Sequence, residues 1–270
     1  MRLFVAGLRK LIRRPATYIT FILVVLLLAL ILISIGATAR QTATQEGGEV
    51  ALLFITFPAA YAFVLSFILG LGGLFAVIYG AAIAGSEWTW GTLKSAVARG
   101  ESRSRYQLVS FAAMALMLGV GLVAAYALGI VLMVVGDTIG GISTAGLNHA
   151  ATLATLPELL VRGWLAIVEQ AALGFAIATL ARSQLAGIAT GIGVYFAEQF
   201  STLFLPGIVK YLPFHVAGDV VAVSDGGSFG GGGGAAQALE PNTAILLVIA
   251  WLIGALVVAA LFTERAEISG

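Results

Sequence analysis

The sequence predicts an all-α integral membrane protein. It has six transmembrane helices, an N-terminal amphipathic interface helix, and a short cytoplasmic helix between the second and third spans. Three observations predict this. Charged residues make up 10% of the chain and the mean hydropathy is +1.04, whereas soluble domains carry about a quarter charged residues. Six continuous apolar runs, at 17–38, 51–85, 106–136, 160–181, 185–207 and 243–263, reach the ~20 residues that a helix needs to cross hydrocarbon. A membrane β-barrel would instead show alternating segments of about ten residues. The basic residues are also segregated. With both termini cytoplasmic, the inner side holds Arg2, Arg9, Lys10, Arg13, Arg14, Lys94, Arg99, Arg103, Arg105, Arg182 and Arg265, and the outer side holds Arg40, Arg162 and Lys210. That bias fits an even number of spans in a cell inner (plasma) membrane. Residues 1–270 read as a single transmembrane domain.

Residues 1–15, "MRLFVAGLRKLIRRP", place Phe4, Val5, Leu8, Leu11 and Ile12 on one helical face and five basic residues on the other, and Pro15 ends the pattern. This predicts a helix lying in the inner interface with its basic face toward anionic lipid headgroups. The first span ends in "GATARQ" (36–41), a small-residue pattern like a signal cleavage site. The apolar stretch before it exceeds the 7–15 residues of a signal core, so an uncleaved helix is expected. Runs two and three are over-long. At 1.5 Å per residue the 51–85 run would reach about 52 Å against a core of about 30 Å. Both helices are therefore expected to project past the membrane on the inner side, holding 86–105 clear of the bilayer.

Spans four and five, joined by "RSQ" (182–184), form a tight hairpin, and Gly187, Gly191 and Gly193 allow close backbone approach. Glu169 and Glu198 then lie at similar depth, each followed by a glutamine, Gln170 and Gln199. Intramembrane carboxyls are expensive and face a bundle interior or an aqueous cavity. These four residues are the candidate substrate pathway, or alternatively a structural polar cluster, with Arg162 two turns above Glu169 as a candidate partner. The outer loop 208–242 begins with a segment apolar enough to lie on or dip into the outer surface and continues as a glycine-rich linker at 226–234.

Enzyme signatures fail. The chain has no cysteine, which excludes disulfides, thiolate metal sites and cysteine nucleophiles. His149 and His215 are too few and too distant for a metal cluster. There is no H-E-x-x-H and no phosphate loop, and no inner loop is long enough for a nucleotide-binding domain. The chain itself reads as a non-enzyme that binds no cofactor and no nucleic acid.

The segment "SEWTWGTLKSAVARGESRSRYQL" (86–108) has Trp88 and Trp90 suited to the interface. Leu93, Ala96 and Val97 form a small apolar helical face, with Lys94 and Arg99 elsewhere on the wheel. Gly100 suits a helix C′ position, and Ser102 or Ser104 suits the cap of the next helix. This segment resembles the stretch between membrane helices two and three of the ABC transporter type-2 permease family. Glu87, Gly91, Thr92, Leu93, Ser102 and Arg103 match the family pattern in order and spacing, and Gly100-Glu101 stands where that family usually has a proline. The resemblance implies a six-helix subunit that pairs with a second permease, identical or homologous, above two separate ABC ATPase subunits that bind ATP and Mg. It also implies that residues 91–99 are a coupling helix seated in a groove of the ATPase. Glu87, Gly91, Thr92, Leu93, Lys94, Ala96, Val97, Arg99 and Arg103 would be the contact set, the apolar face filling the groove. The implied function is transport, in the export direction. A gradient-driven transporter or channel using Glu169 and Glu198, and a non-transporting membrane scaffold or immunity protein, are the alternatives.

Overall fold

The computed structural model describes residues 2–42, 52, 55–221 and 239–266, and every regular element among them is helical. Helix α1 spans Arg2–Ile12 and α2 spans Pro15–Thr42. Proline opens α2 at a position where its missing N–H costs nothing. The Thr17 hydroxyl donates to the Leu11 carbonyl at 2.8 Å, closing the turn between the two helices. The rotation of α1 departs from the expected one. Leu11 is buried, but Val5 and Ile12 are exposed. Lys10 and Arg14, expected in the basic outer face, turn inward onto a buried carboxylate described below. Pairing a buried carboxylate outweighs the simple amphipathic rule.

Helix α3 spans Ala59–Thr89, α4 spans Thr92–Ala98 and α5 spans Arg103–Gly140. The Tyr79 and Thr17 hydroxyls meet at 2.9 Å, so Tyr79 marks the level at which α2 begins. From there α3 runs ten residues further, about 15 Å, before the chain turns into α4. Helix α4 follows directly on that end of α3. The turn needs glycine on both sides of α4. Gly91 has φ +64° and Gly100 has φ +87°, a left-handed region costly for any residue with a Cβ. The Ser102 hydroxyl caps α5 by accepting from the Arg105 N–H.

After a 3₁₀ turn at Ala145–Asn148, α6 spans Ala150–Ala181. It starts ten residues before the expected run at 160, because 150–156 is rich in helix-forming Ala and Leu and the His149 ring accepts from the Thr152 N–H. Helix α7 spans Gln184–Ser201, α8 spans Pro206–Val209, α9 spans Pro213–Asp219 and α10 spans Pro241–Arg265. Among the described residues five helices, α2, α3, α5, α6 and α10, are long and apolar enough to cross a membrane. The chain is thus a multi-pass, membrane-type helical bundle. The expected fifth span, α7, has 18 residues; Gln184, Glu198, Gln199 and three glycines lower its hydropathy, and it is not among those five. The glycine-rich segment 226–234 lies outside the described residues.

Helices α3 and α6 form the centre. They touch backbone to backbone: a Cβ on Gly80 would sit 2.1 Å from the Ala171 carbonyl oxygen, and one on Gly174 would sit 2.1 Å from that of Val77. Helix α7 docks on the same pair through Gly187 against Ala178 and Gly191 against Val77, while Gly193 faces open space. Helices α2 and α5 meet closely at one end only, where a Cβ on Gly36 would strike the Gly136 carbonyl. Without a hydrophobic drive between helices in lipid, such small-residue contacts supply the packing.

Candidate functional site

Two polar constellations stand out, one at the basic end of the bundle and one buried at mid-depth. The first is centred on Glu87, which is 2% exposed at the end of α3. Its Oε1 meets Lys10 Nζ of α1 at 2.6 Å and an Arg14 guanidinium nitrogen at 3.4 Å. Its Oε2 accepts from the Tyr106 hydroxyl of α5 at 2.8 Å and from the Thr92 hydroxyl of α4. Arg14 also donates to the Ser86 hydroxyl at 2.8 Å, and its guanidinium lies 5.3 Å from the centre of the Trp90 ring. One carboxylate therefore ties four helices together. Buried ion pairs of this kind are weak sources of net stability but costly to break singly. Such a pair fixes geometry, here the position of α4 relative to α1, α3 and α5.

The residues expected to face a partner divide accordingly. Leu93 and Ala96 are each 1% exposed, so the apolar face of α4 turns inward onto its own chain rather than outward into a groove. This corrects the expectation for those two residues. Burying a small apolar face against α3 and α5 is what keeps a seven-residue helix formed, since isolated helices this short do not persist in water. Glu87 and Thr92 are consumed by the cluster. The Arg103 guanidinium donates to the carbonyls of Glu264 and Ala266, at 3.3 and 2.7 Å, and the Ser104 N–H donates to the Glu264 carboxylate. Arg103 therefore holds the end of α10 instead of presenting an outward contact. Gly91 and Val97 are half-buried, and Lys94, Ser95, Ala98 and Arg99 form the exposed face of α4. Arg182, at the α6–α7 turn, stacks 5.5 Å from the Trp88 ring and 5.1 Å from the Phe262 ring. One end of the bundle thus gathers α1, α4, the start of α5, the α6–α7 turn and the end of α10, together with their basic residues.

The second constellation comprises Glu169, Gln170 and Glu198, all buried; Gln199 is half-buried. Glu169 lies on α6 and Glu198 on α7, the next helix in the chain. Glu198 is well satisfied: its Oε1 accepts the His215 N–H at 2.6 Å, in the first turn of α9. Helix α9 lies within the apolar segment expected to lie on or dip into the outer surface. Pro213 through Ala217 and Asp219 are all buried, and Val216 and Val220 pack on Ala244 and Val248 of α10. Glu169 is the opposite case, with neither carboxyl oxygen hydrogen-bonded and no exposed surface. Gln170 reaches α3 where Gly73 leaves it room: a Cβ there would lie 2.2 Å from its Oε1. The expected partner Arg162 pairs with Glu158 one turn away on α6, so Glu169 has no ion pair among the described residues. A buried, unsatisfied carboxyl demands a functional or protonation account.

Sequence reasoning named Lys10, Arg14, Glu87 and Thr92 without joining them, and it passed over Tyr106. Lys10 and Arg14 read as interface charges, and Glu87 and Thr92 as partner contacts. The signal was the pairing of an acid at a span terminus with two basic residues flanking another span. No protein-family model matches the chain, and no curated protein matches it.

Proposed function

We propose that the chain is the membrane permease subunit of an ATP-driven transporter of the type-2 ABC class, acting as an exporter. It works in the plasma (inner) membrane with both termini cytoplasmic. Transport is powered by two separate ATPase subunits that carry the ATP and Mg, and a second permease subunit completes the pathway. The single observation that supports this most is the mounting of α4. A seven-residue helix is set at the tip of two over-long helices and locked to three other helices through Glu87, with an exposed face of Lys94, Ser95, Ala98 and Arg99. Positive-inside anchoring needs the charges but not the lock. In the proposed cycle, closure of the ATPases pushes the outward face of α4. The Glu87 cluster passes the displacement to α1, α3 and α5 as one body.

The test is affinity purification of the tagged full chain from its native membranes, with an ATP hydrolysis assay. We expect an ATPase to co-elute near one-to-one, and Lys94→Glu with Arg99→Glu to release it while leaving the thermal stability of the permease unchanged. A chain that elutes alone from several detergents, with no hydrolysis, would overturn the reading. The two unpaired oxygens of Glu169, with Glu198 also buried, favour a second reading, a gradient-driven transporter or channel with these acids as ion or proton sites. That reading predicts loss of transport in Glu169→Gln with no ATPase at any stage.

A further inference from the structure

Helices α2 and α5 do not stay together along their length. They touch at the outer end, where a Cβ on Gly136 would sit 2.7 Å from the Leu32 carbonyl, and they diverge toward α1. The divergence leaves a wedge with a cavity of about 310 Å³ between α2, α3 and α5. Its walls are almost wholly apolar: Phe21 and Val24 of α2, Ile68 and Phe75 of α3, and Met117 and Leu122 of α5 are among them. Tyr18 and Val120, also in the lining, are 52% and 58% exposed, so the wedge opens sideways to the surroundings of the bundle rather than to its interior.

Its depth is informative. The lining runs from Thr17 to Val24 on α2, from Tyr79 back to Ile68 on α3, and from Met117 to Ala125 on α5. By helix rise these stretches are about 10, 16 and 12 Å, close to half of a hydrocarbon core of about 30 Å. The wedge therefore occupies one leaflet and is shut over the other by the α2–α5 contact. A second copy of the chain, or any transmembrane helix, would need a crevice through both leaflets. An acyl chain needs only one.

The mouth carries charge. Thr17, at one end of the lining, bonds to the Leu11 carbonyl, which sets the end of α1 beside that end of the wedge, and a Cβ on Gly7 would lie 3.4 Å from Ala113, one turn before Met117 on α5. Arg9, in the last turn of α1, and Arg13, just after it, are both exposed, and they lie a few residues before Tyr18, a residue type that favours the interface.

We propose that this wedge is a binding site for one anionic phospholipid of the inner leaflet, with an acyl chain between α2, α3 and α5 and the phosphate group on Arg9 and Arg13. The inference rests on the membrane embedding of the chain and not on the ATPase reading. A lipid seated there would fill the gap between α2 and the α3–α5 pair and fix the angle at which α1 joins them.

The experiment is native mass spectrometry of the full chain, extracted from nanodiscs containing equal phosphatidylglycerol and phosphatidylcholine. The wild type should retain phosphatidylglycerol preferentially. Arg9→Gln with Arg13→Gln should cut that preference by up to about thirtyfold, from two basic residues near a lipid surface. Gly121→Phe fills the wedge from α5, where a Cβ meets nothing within 4 Å, and should abolish retention of either lipid. Gly72→Leu, whose Cβ has only ordinary contacts with Ile68 and Ile167, should do the same from the opposite wall. Gly254→Phe on α10, equally unobstructed and remote from the wedge, controls for the substitution itself and should leave retention unchanged. Equal retention of both lipids by the wild type, or unchanged retention in both wedge-filling variants, overturns the proposal.

Discussion

Replacing Glu87 by alanine should release α1 from the bundle, and the size of the effect follows from the geometry. Removing one partner of a buried ion pair costs about 3–5 kcal/mol. The lower end applies here, because the Lys10 side chain is 33% exposed and the Arg14 contact is long, at 3.4 Å. A cost of about 3 kcal/mol is a shift of roughly 150-fold in the docking equilibrium of α1. The chain has no cysteine, so a single Ala113→Cys reports that equilibrium cleanly. Ala113 is fully buried, beneath Gly7 of α1. A membrane-permeant maleimide reaches it only when α1 lifts, so the labelling rate follows the open population. Glu87→Ala should speed labelling on the order of a hundredfold. Glu87→Gln keeps acceptors for Tyr106 and Thr92 and should speed it less. Equal labelling rates with and without Glu87 would refute the assignment of this carboxylate as the anchor of α1.

Three other outcomes are expected. Gly174→Leu forces a side chain into the Val77 backbone and should cost at least the 1–3 kcal/mol of overpacking, seen as a lowered unfolding temperature in detergent; Gly193→Leu, which faces open space, should leave it unchanged. Glu198→Ala leaves the buried His215 N–H without its acceptor and should lower protection by about 1–3 kcal/mol, read by hydrogen exchange confined to residues 213–219. Arg103→Gln frees the end of α10 from α5 and should raise proteolysis after Thr263 without affecting the thermal midpoint by more than a few degrees.

The parts legible in the sequence were those that composition and punctuation encode. The five apolar helices, Gly100 at the end of α4 and Ser102 at the start of α5 follow from hydropathy and capping chemistry. Gly187 and Gly191 pack as their spacing suggested, whereas Gly193 does not, because a stripe of small residues names a face but not its extent. The outward set on α4 was misread for a physical reason. An i, i+3 apolar pair such as Leu93 and Ala96 reads the same whether it buries against its own chain or a partner. Only the return of α3 and α5 on either side decides it. The rotation of α1 was hidden in the same way, since Glu87 lies 77 residues from Lys10 in the chain and no local pattern links them.

The Glu87 cluster also has an order in time. Lys10 and Arg14 leave the ribosome long before Glu87, and Tyr106 follows later still. While they wait they are bare cations, and in that state they act on the inserting chain as orientation signals. Once the first hairpin is complete, the same two residues become ligands of a carboxylate, and Arg14 is largely withdrawn from water. The addressing label of the nascent protein is thus reused as a fastener of the finished one. The α1–α2 corner can turn on its own, but it can lock onto the bundle only after the second and third helices are in place.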